Sequence, residues 1–228
     1  MENRTVASYV DHSFLKPDVT PALIEQACRE ACEHHFAAVS INPIYLPVMV
    51  RCLRGSTVGS GTVVGFPLGA VPTAIKIAET KNYVAGGATE LDTMIQVGLL
   101  KVGEYQAVLE DVAAVVEVAH AAGVIVKVIL ENCLLTRREK ILGCLLCQVA
   151  GADFVKTSSG FSTGGATVED VELMRRVVGP TDQMGVKAAT GVRSLEIAEA
   201  MLKAGANRLG TSAGVKIDEE QRQRAKAG

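Results

Sequence analysis

At 228 residues, 48% hydrophobic and 21% charged, the chain has the apolar content for a sizeable core, which excludes a disordered segment. A net charge of −2 with no basic patch argues against a nucleic-acid partner. No apolar run reaches the roughly 18 residues of a membrane span, and the N-terminus has no apolar signal region, so a cytoplasmic protein with no membrane partner is expected.

Short apolar runs near 7–11, 37–41, 58–65, 88–92, 124–130, 152–156, 184–188 and 206–210 predict strands. Periodic, alanine-rich segments near 20–34, 44–53, 71–86, 103–122, 136–149, 167–178 and 194–203 predict the helices between them. Gly87, Gly123, Gly151 and Gly205 each close a helical segment and precede an apolar run, at spacings of 36, 28 and 54 residues. A glycine just past a helix suits the left-handed position there, and the repeat is the punctuation of βα units. Eight strands in a chain of this size predict an α/β fold, a (β/α)8 barrel in one domain over 1–228. An open doubly wound sheet is the alternative, but no G-x-G-x-x-G follows the first strand.

In a barrel, function belongs to the loops after the strands. The first strand ends at Asp11-His12-Ser13, the second at Ser40-Ile41-Asn42-Pro43, where Pro43 opens a helix. The third runs into Val64-Gly65-Phe66-Pro67-Leu68-Gly69 and the fourth ends at Glu90-Leu91-Asp92-Thr93. Within the fifth, Lys127 has three apolar residues on each side, so its charge must face the interior and find a partner. The sixth ends at Lys156, before the loop Thr157-Ser158-Ser159-Gly160-Phe161-Ser162-Thr163-Gly164-Gly165. Glycines there let backbone N–H groups crowd around an anion, and Thr167 is placed to cap the next helix. The seventh holds Lys187, before Ala188-Ala189-Thr190-Gly191 and a helix start at Ser194. The eighth leads into Gly210-Thr211-Ser212-Ala213-Gly214, a second loop suited to an anion.

Lys156 and Lys187 lie 31 residues apart, one β–α–β unit, which puts them on neighbouring strands. An ordinary lysine, with a pKa of about 10.4, is neutral roughly once in 2,500 at pH 7. A second cation at about 4 Å, at an effective dielectric near 20, opposes its charge by about 4 kcal/mol, roughly three pKa units. On this reading proximity alone turns one amine into a nucleophile for a carbonyl, without deep burial. Asp92 and Asp11 are candidates for neutralising these lysines or for relaying protons. His12 reads as a structural hydrogen-bonder. Cys28 and Cys32, and the C-x-x-C of Cys144 and Cys147, fall in apolar helical patterns and read as buried thiols rather than a redox or zinc site.

Together the phrases Asp11-His12-Ser13-Phe14-Leu15-Lys16-Pro17, Val64-Gly65-Phe66-Pro67-Leu68-Gly69, Lys76-Ile77-Ala78-Glu79-Thr80, Glu90-Leu91-Asp92, Val155-Lys156-Thr157-Ser158-Ser159-Gly160-Phe161, Gly185-Val186-Lys187-Ala188-Ala189 and Leu209-Gly210-Thr211-Ser212-Ala213-Gly214 resemble the deoxyribose-phosphate aldolases, class I aldolases. The resemblance implies a TIM barrel that cleaves 2-deoxyribose 5-phosphate reversibly to glyceraldehyde 3-phosphate and acetaldehyde, in deoxyribose breakdown. It implies Lys156 as the Schiff-base lysine, Lys187 as the lysine that lowers its pKa, and Asp92 in a proton relay. It places Asp11 and Lys127 as further charges in the substrate pocket, and Gly160, Thr190, Gly191 and Ser212 around the phosphate. No metal or cofactor is implied, and a homodimer or homotetramer is. Thr190 stands where the family commonly has glycine, and Ser40 where it commonly has cysteine. Competing readings are a catalytically silent binder of sugar phosphates and another lysine-dependent aldolase for a larger ketose phosphate.

Overall fold

A strand alternates its side chains between two faces, and here the two faces carry opposite chemistry. In the computed structural model, which describes residues 5–227, eight parallel strands close in sequence order into a barrel. They are β1 (Val10–Phe14), β2 (Ala38–Ile41), β3 (Gly59–Val64), β4 (Glu90–Met94), β5 (Ile125–Ile129), β6 (Phe154–Lys156), β7 (Gly185–Ala189) and β8 (Arg208–Thr211). Around them lie α1 (Pro21–Glu33), α2 (Leu46–Leu53), α3 (Thr73–Ala85), α4 (Val97–Val102), α5 (Tyr105–His120), α6 (Arg137–Val149), α7 (Val168–Val178), α8 (Leu195–Lys203) and α9 (Gly214–Ala227).

The outward residues Val39, Leu91, Val126, Val128, Val155, Val186 and Leu209 join the helices in one buried apolar cluster. The inward residues include Asp11, Glu90, Asp92, Lys127, Lys156 and Lys187, none more than 5% exposed. Small residues beside them make room for the long side chains. A Cβ on Gly185 would meet the Phe154 ring at 2.1 Å, and one on Gly210 would come within 3.2 Å of Lys187 Cε.

Helix starts follow their capping residues. Thr20, Thr167 and Ser194 each accept a backbone N–H in the first turn, and Thr136 forms a reciprocal capping box with Glu139. Several expected boundaries move. Residues Val6–Tyr9 form a 3-10 turn rather than strand, burying Val6 and Ala7, so β1 begins at Val10. The strand expected over 88–92 runs over Glu90–Met94. The helix expected over 103–122 runs over Tyr105–His120, and the short α4 ahead of it, ended by Gly103 at a φ of +84°, was not expected. Pro43 opens a 3-10 turn, Pro43–Tyr45, ahead of α2, and the closing helix α9 was not expected.

Candidate active site

The strand shifts decide depth. Asp11 and Asp92 fall inside their strands rather than at the ends, whereas Lys156 is the last residue of β6. Register pairs Lys156 with Lys187, Lys187 with Arg208, and Asp92 with Lys127 on adjoining strands. Lys156 Nζ and Lys187 Nζ each donate to Asp92 Oδ2 at 2.7 Å, so the two nitrogens stand at most twice that distance apart. Lys187 also contacts Asp11 Oδ2, and Lys127 lies 3.2 Å from Asp11, 3.4 Å from Asp92 and in contact with Glu90.

Burial and charge pull Lys156 in opposite directions. Burial pushes its pKa down, Asp92 pushes it up, and Lys187 pushes it down again, leaving it at about 8. The expectation that amine proximity suffices without burial is therefore corrected. Loss of water around Lys156 is the larger cause, and Lys187 adds to it. Asp92 is buried, which alone would raise its pKa, but Lys156, Lys187 and Lys127 hold it well below the usual carboxylate range. Asp11 is likewise held down by Lys127, Lys187 and Arg208 against its burial. Against burial, Asp11, Glu90 and Asp92 push Lys127 up, so it stays charged.

Above the network lies a cavity of about 430 Å³, within the range of small-molecule sites. Lys156 lies on its floor, and Ser159, Gly160, Phe161, Thr190, Gly191 and Ser212 are on its walls. Asp11 and Lys127 are absent from its lining. Asp92 and Lys187 are absent from it as well, and all four belong to the ion network next to Lys156.

The N–H groups of Gly160, Gly191 and Ser212 donate to no protein acceptor among the described residues. With Lys16 and Arg193 on the same wall, that end of the cavity suits an anion. Thr190 sits there at a φ of +70°, an uncommon conformation for a β-branched residue. Its Oγ1 would lie 3.1 Å from a Cβ built on Gly160. Thr190 thus packs its side chain against the loop after Lys156 and leaves a hydroxyl at the anion end.

A family model described as DeoC/LacD family aldolase matches residues 5–218. The chain belongs to the DeoC/LacD aldolase family. It is an aldolase, a carbon–carbon lyase. It is 53% identical over 210 residues to the deoxyribose-phosphate aldolase of Brevibacillus brevis, covering 92% of this chain and 93% of that one. Identity to the deoxyribose-phosphate aldolase of Thermococcus kodakarensis is 52% over 221 residues, 96% of this chain and 98% of that one. Among solved structures, it is similar to a deoxyribose phosphate aldolase from Aeropyrum pernix described as a unique tetrameric structure. The TM-score is 0.88 at 33% identity, over 96% of this chain and 92% of that one.

Three residues of this aldolase escaped the sequence reading. Glu90 and Arg208 complete the ion network: Arg208 donates to Asp11 Oδ1 at 2.7 Å and to Glu90 Oε2 at 3.0 Å. A period of two offered the signal, since Glu90 shares a face with Asp92, and Arg208 with Gly210. Glu131, at a φ of +58°, is buried under the loop after β6 and accepts from Ser159 N at 3.2 Å and from the Ser159 hydroxyl. Nothing in the spacing marks it.

Other expectations concern residues away from the cavity. His12 points outward and hydrogen-bonds Glu30 Oε2 at 2.8 Å, a structural contact. Cys144 and Cys147 face the core, and burial pushes Cys144 up to about 12 and Cys147 up as well, so neither thiol ionises readily. Among the described residues no helix is long and apolar enough to cross a membrane.

Proposed function

We propose that the protein is a class I aldolase that cleaves 2-deoxy-D-ribose 5-phosphate reversibly to D-glyceraldehyde 3-phosphate and acetaldehyde, in deoxyribonucleotide breakdown in the cytoplasm. The observation that carries this reading is the buried amine of Lys156, with a pKa of about 8, on the floor of a cavity that ends in an anion cradle. Neutral Lys156 Nζ adds to the C1 carbonyl of the open-chain sugar. Loss of water from the carbinolamine gives a protonated imine that serves as an electron sink. A base takes the proton of the C3 hydroxyl, the C2–C3 bond breaks, and its electron pair enters the imine as an enamine. Glyceraldehyde 3-phosphate leaves; the enamine gains a proton at C2, and water releases acetaldehyde and restores the amine.

Asp92 is the acid–base relay for these transfers, working with Lys187 through the oxygen that both lysines share. Lys187 also opposes the charge on Lys156. Gly160, Thr190, Gly191 and Ser212 grip the phosphate at the opposite end of the cavity. Asp11 and Lys127 hold Asp92 and Lys187 in place from below. The similarity to the Aeropyrum pernix tetramer supports a homodimer or homotetramer.

Aldehyde release from deoxyribose phosphate, with borohydride trapping in acetaldehyde, tests the reading. A reduced adduct mapped to Lys156 is expected. An adduct on another lysine, or release only from a larger ketose phosphate in a substrate panel, would overturn it.

A further inference from the structure

The ion network does not stop beneath the cavity. Arg208 lies below Lys187, with its guanidinium 5.5 Å from the Phe154 ring, and reaches a separate cavity at the opposite end of the barrel with Ser8, Tyr9 and Phe154. A column of charge therefore runs through the barrel from Lys156 to the far face. Its members differ in how firmly they are held. Lys127 contacts three carboxylates: Asp11, Glu90 and Asp92. Lys187 contacts Asp11 and Asp92, and Arg208 contacts Asp11 and Glu90. Lys156 contacts Asp92 alone. Fully ionised, the column holds four cations (Lys127, Lys156, Lys187 and Arg208) against three carboxylates (Asp11, Glu90 and Asp92). One proton is in excess, and the cation with one partner is the one that can lose it most easily.

We propose that Arg208, which never touches the cavity above Lys156, is a positioning residue that makes Lys156 the amine that gives up its proton, with Glu90 opposing it. This inference rests on the reading of Lys156 as the nucleophile. With Arg208 present, the column balances at three and three only when Lys156 is neutral. Remove that guanidinium charge, and the column balances with Lys156 protonated. Remove the Glu90 charge, and the excess grows by one, favouring the neutral amine further. The remaining charges near Lys156 are Lys16 and Arg193 on the cavity wall and Glu131 under the adjoining loop, and none of them changes in these variants.

The test is the pH profile of kcat/KM for aldehyde release, whose acidic limb reports the free enzyme. Arg208→Gln moves the limb alkaline by about one unit, the effect of a charge two strand spacings (roughly 10 Å) away at an effective dielectric near 20. Arg208→Lys keeps the original limb, since charge and not shape is the variable. Glu90→Gln moves it towards acid, and the Glu90→Gln/Arg208→Gln double variant returns it to the original position. An unmoved limb in Arg208→Gln, or an equal shift in Arg208→Gln and Arg208→Lys, overturns the proposal. Should Arg208→Gln fail to fold, Glu90→Gln and the double variant decide, and an unmoved limb in Glu90→Gln is fatal. Trapping of unsubstituted protein separates the two readings. Without an adduct on Lys156 the nucleophile assignment fails, whereas an adduct with fixed limbs removes only the role of Arg208.

Discussion

The two faces of one set of strands make different molecules. Leu91 and Asp92 are neighbours in β4, both buried. Leu91 packs into the apolar shell under the helices, where any well-fitting hydrocarbon would serve. Asp92 faces an interior of paired charges, where each group fixes the ionisation of the others. The shell holds the barrel together through contact area. The interior gives up apolar packing to a set of paired charges around a Lys156 amine of lowered pKa, and its content depends on charge rather than volume.

Breaking the interior at its reactive end has the largest expected effect. Lys156→Ala reduces turnover to background and removes the borohydride adduct while circular dichroism keeps the barrel signature; residual turnover at normal rates would exclude Lys156 as nucleophile. Next comes the pair at the boundary between the faces. Asp92→Asn lowers kcat by about 10²–10⁴, the range for a lost acid–base group. Leu91→Ala leaves the pH profile in place and costs about 2–5 kcal/mol of stability in denaturant unfolding. Similar pH profiles and similar stability losses for the two would erase the distinction drawn here.

Lys187→Met sharpens the balance between burial and charge at Lys156. Burial is the larger cause of its lowered pKa and Lys187 the smaller, so the acidic limb moves from near 8 toward the ordinary lysine value of 10.5 without reaching it. A limb that arrives at 10.5 would make the neighbouring cation the dominant cause. Least affected is Thr190→Gly, which removes a hydroxyl from the anion end. KM for the phosphorylated sugar rises a few-fold, as loss of one hydrogen bond implies, and kcat and the acidic limb stay put.

Sequence spacing made the topology legible, because helix-closing glycines such as Gly151 and Gly205 punctuate each βα unit. It also placed Lys156 and Lys187 on adjoining strands, since their separation is one such unit. Depth was not legible. Whether Asp11 ends its strand or lies inside it depends on the 3-10 turn that buries Val6 and Ala7, a packing event outside the strand itself. Nor did the spacing show that Asp11 and Lys127, like Asp92 and Lys187, stand in the ion network rather than on the cavity wall. The length of Arg208 disguised its reach. A residue at the start of β8 looks remote from the mouth, yet its guanidinium reaches Asp11 and Glu90 in the middle of the barrel.

The central claim is that burial among opposed charges leaves Lys156 neutral far more often than a free lysine. The most direct measurement is the pH dependence of the Lys156 adduct itself: brief exposure to acetaldehyde at each pH, a borohydride quench, and peptide mapping of the reduced lysine. The account predicts half-maximal labelling of Lys156 near pH 8. Labelling that rises only near 10.5, in step with surface lysines, would contradict it.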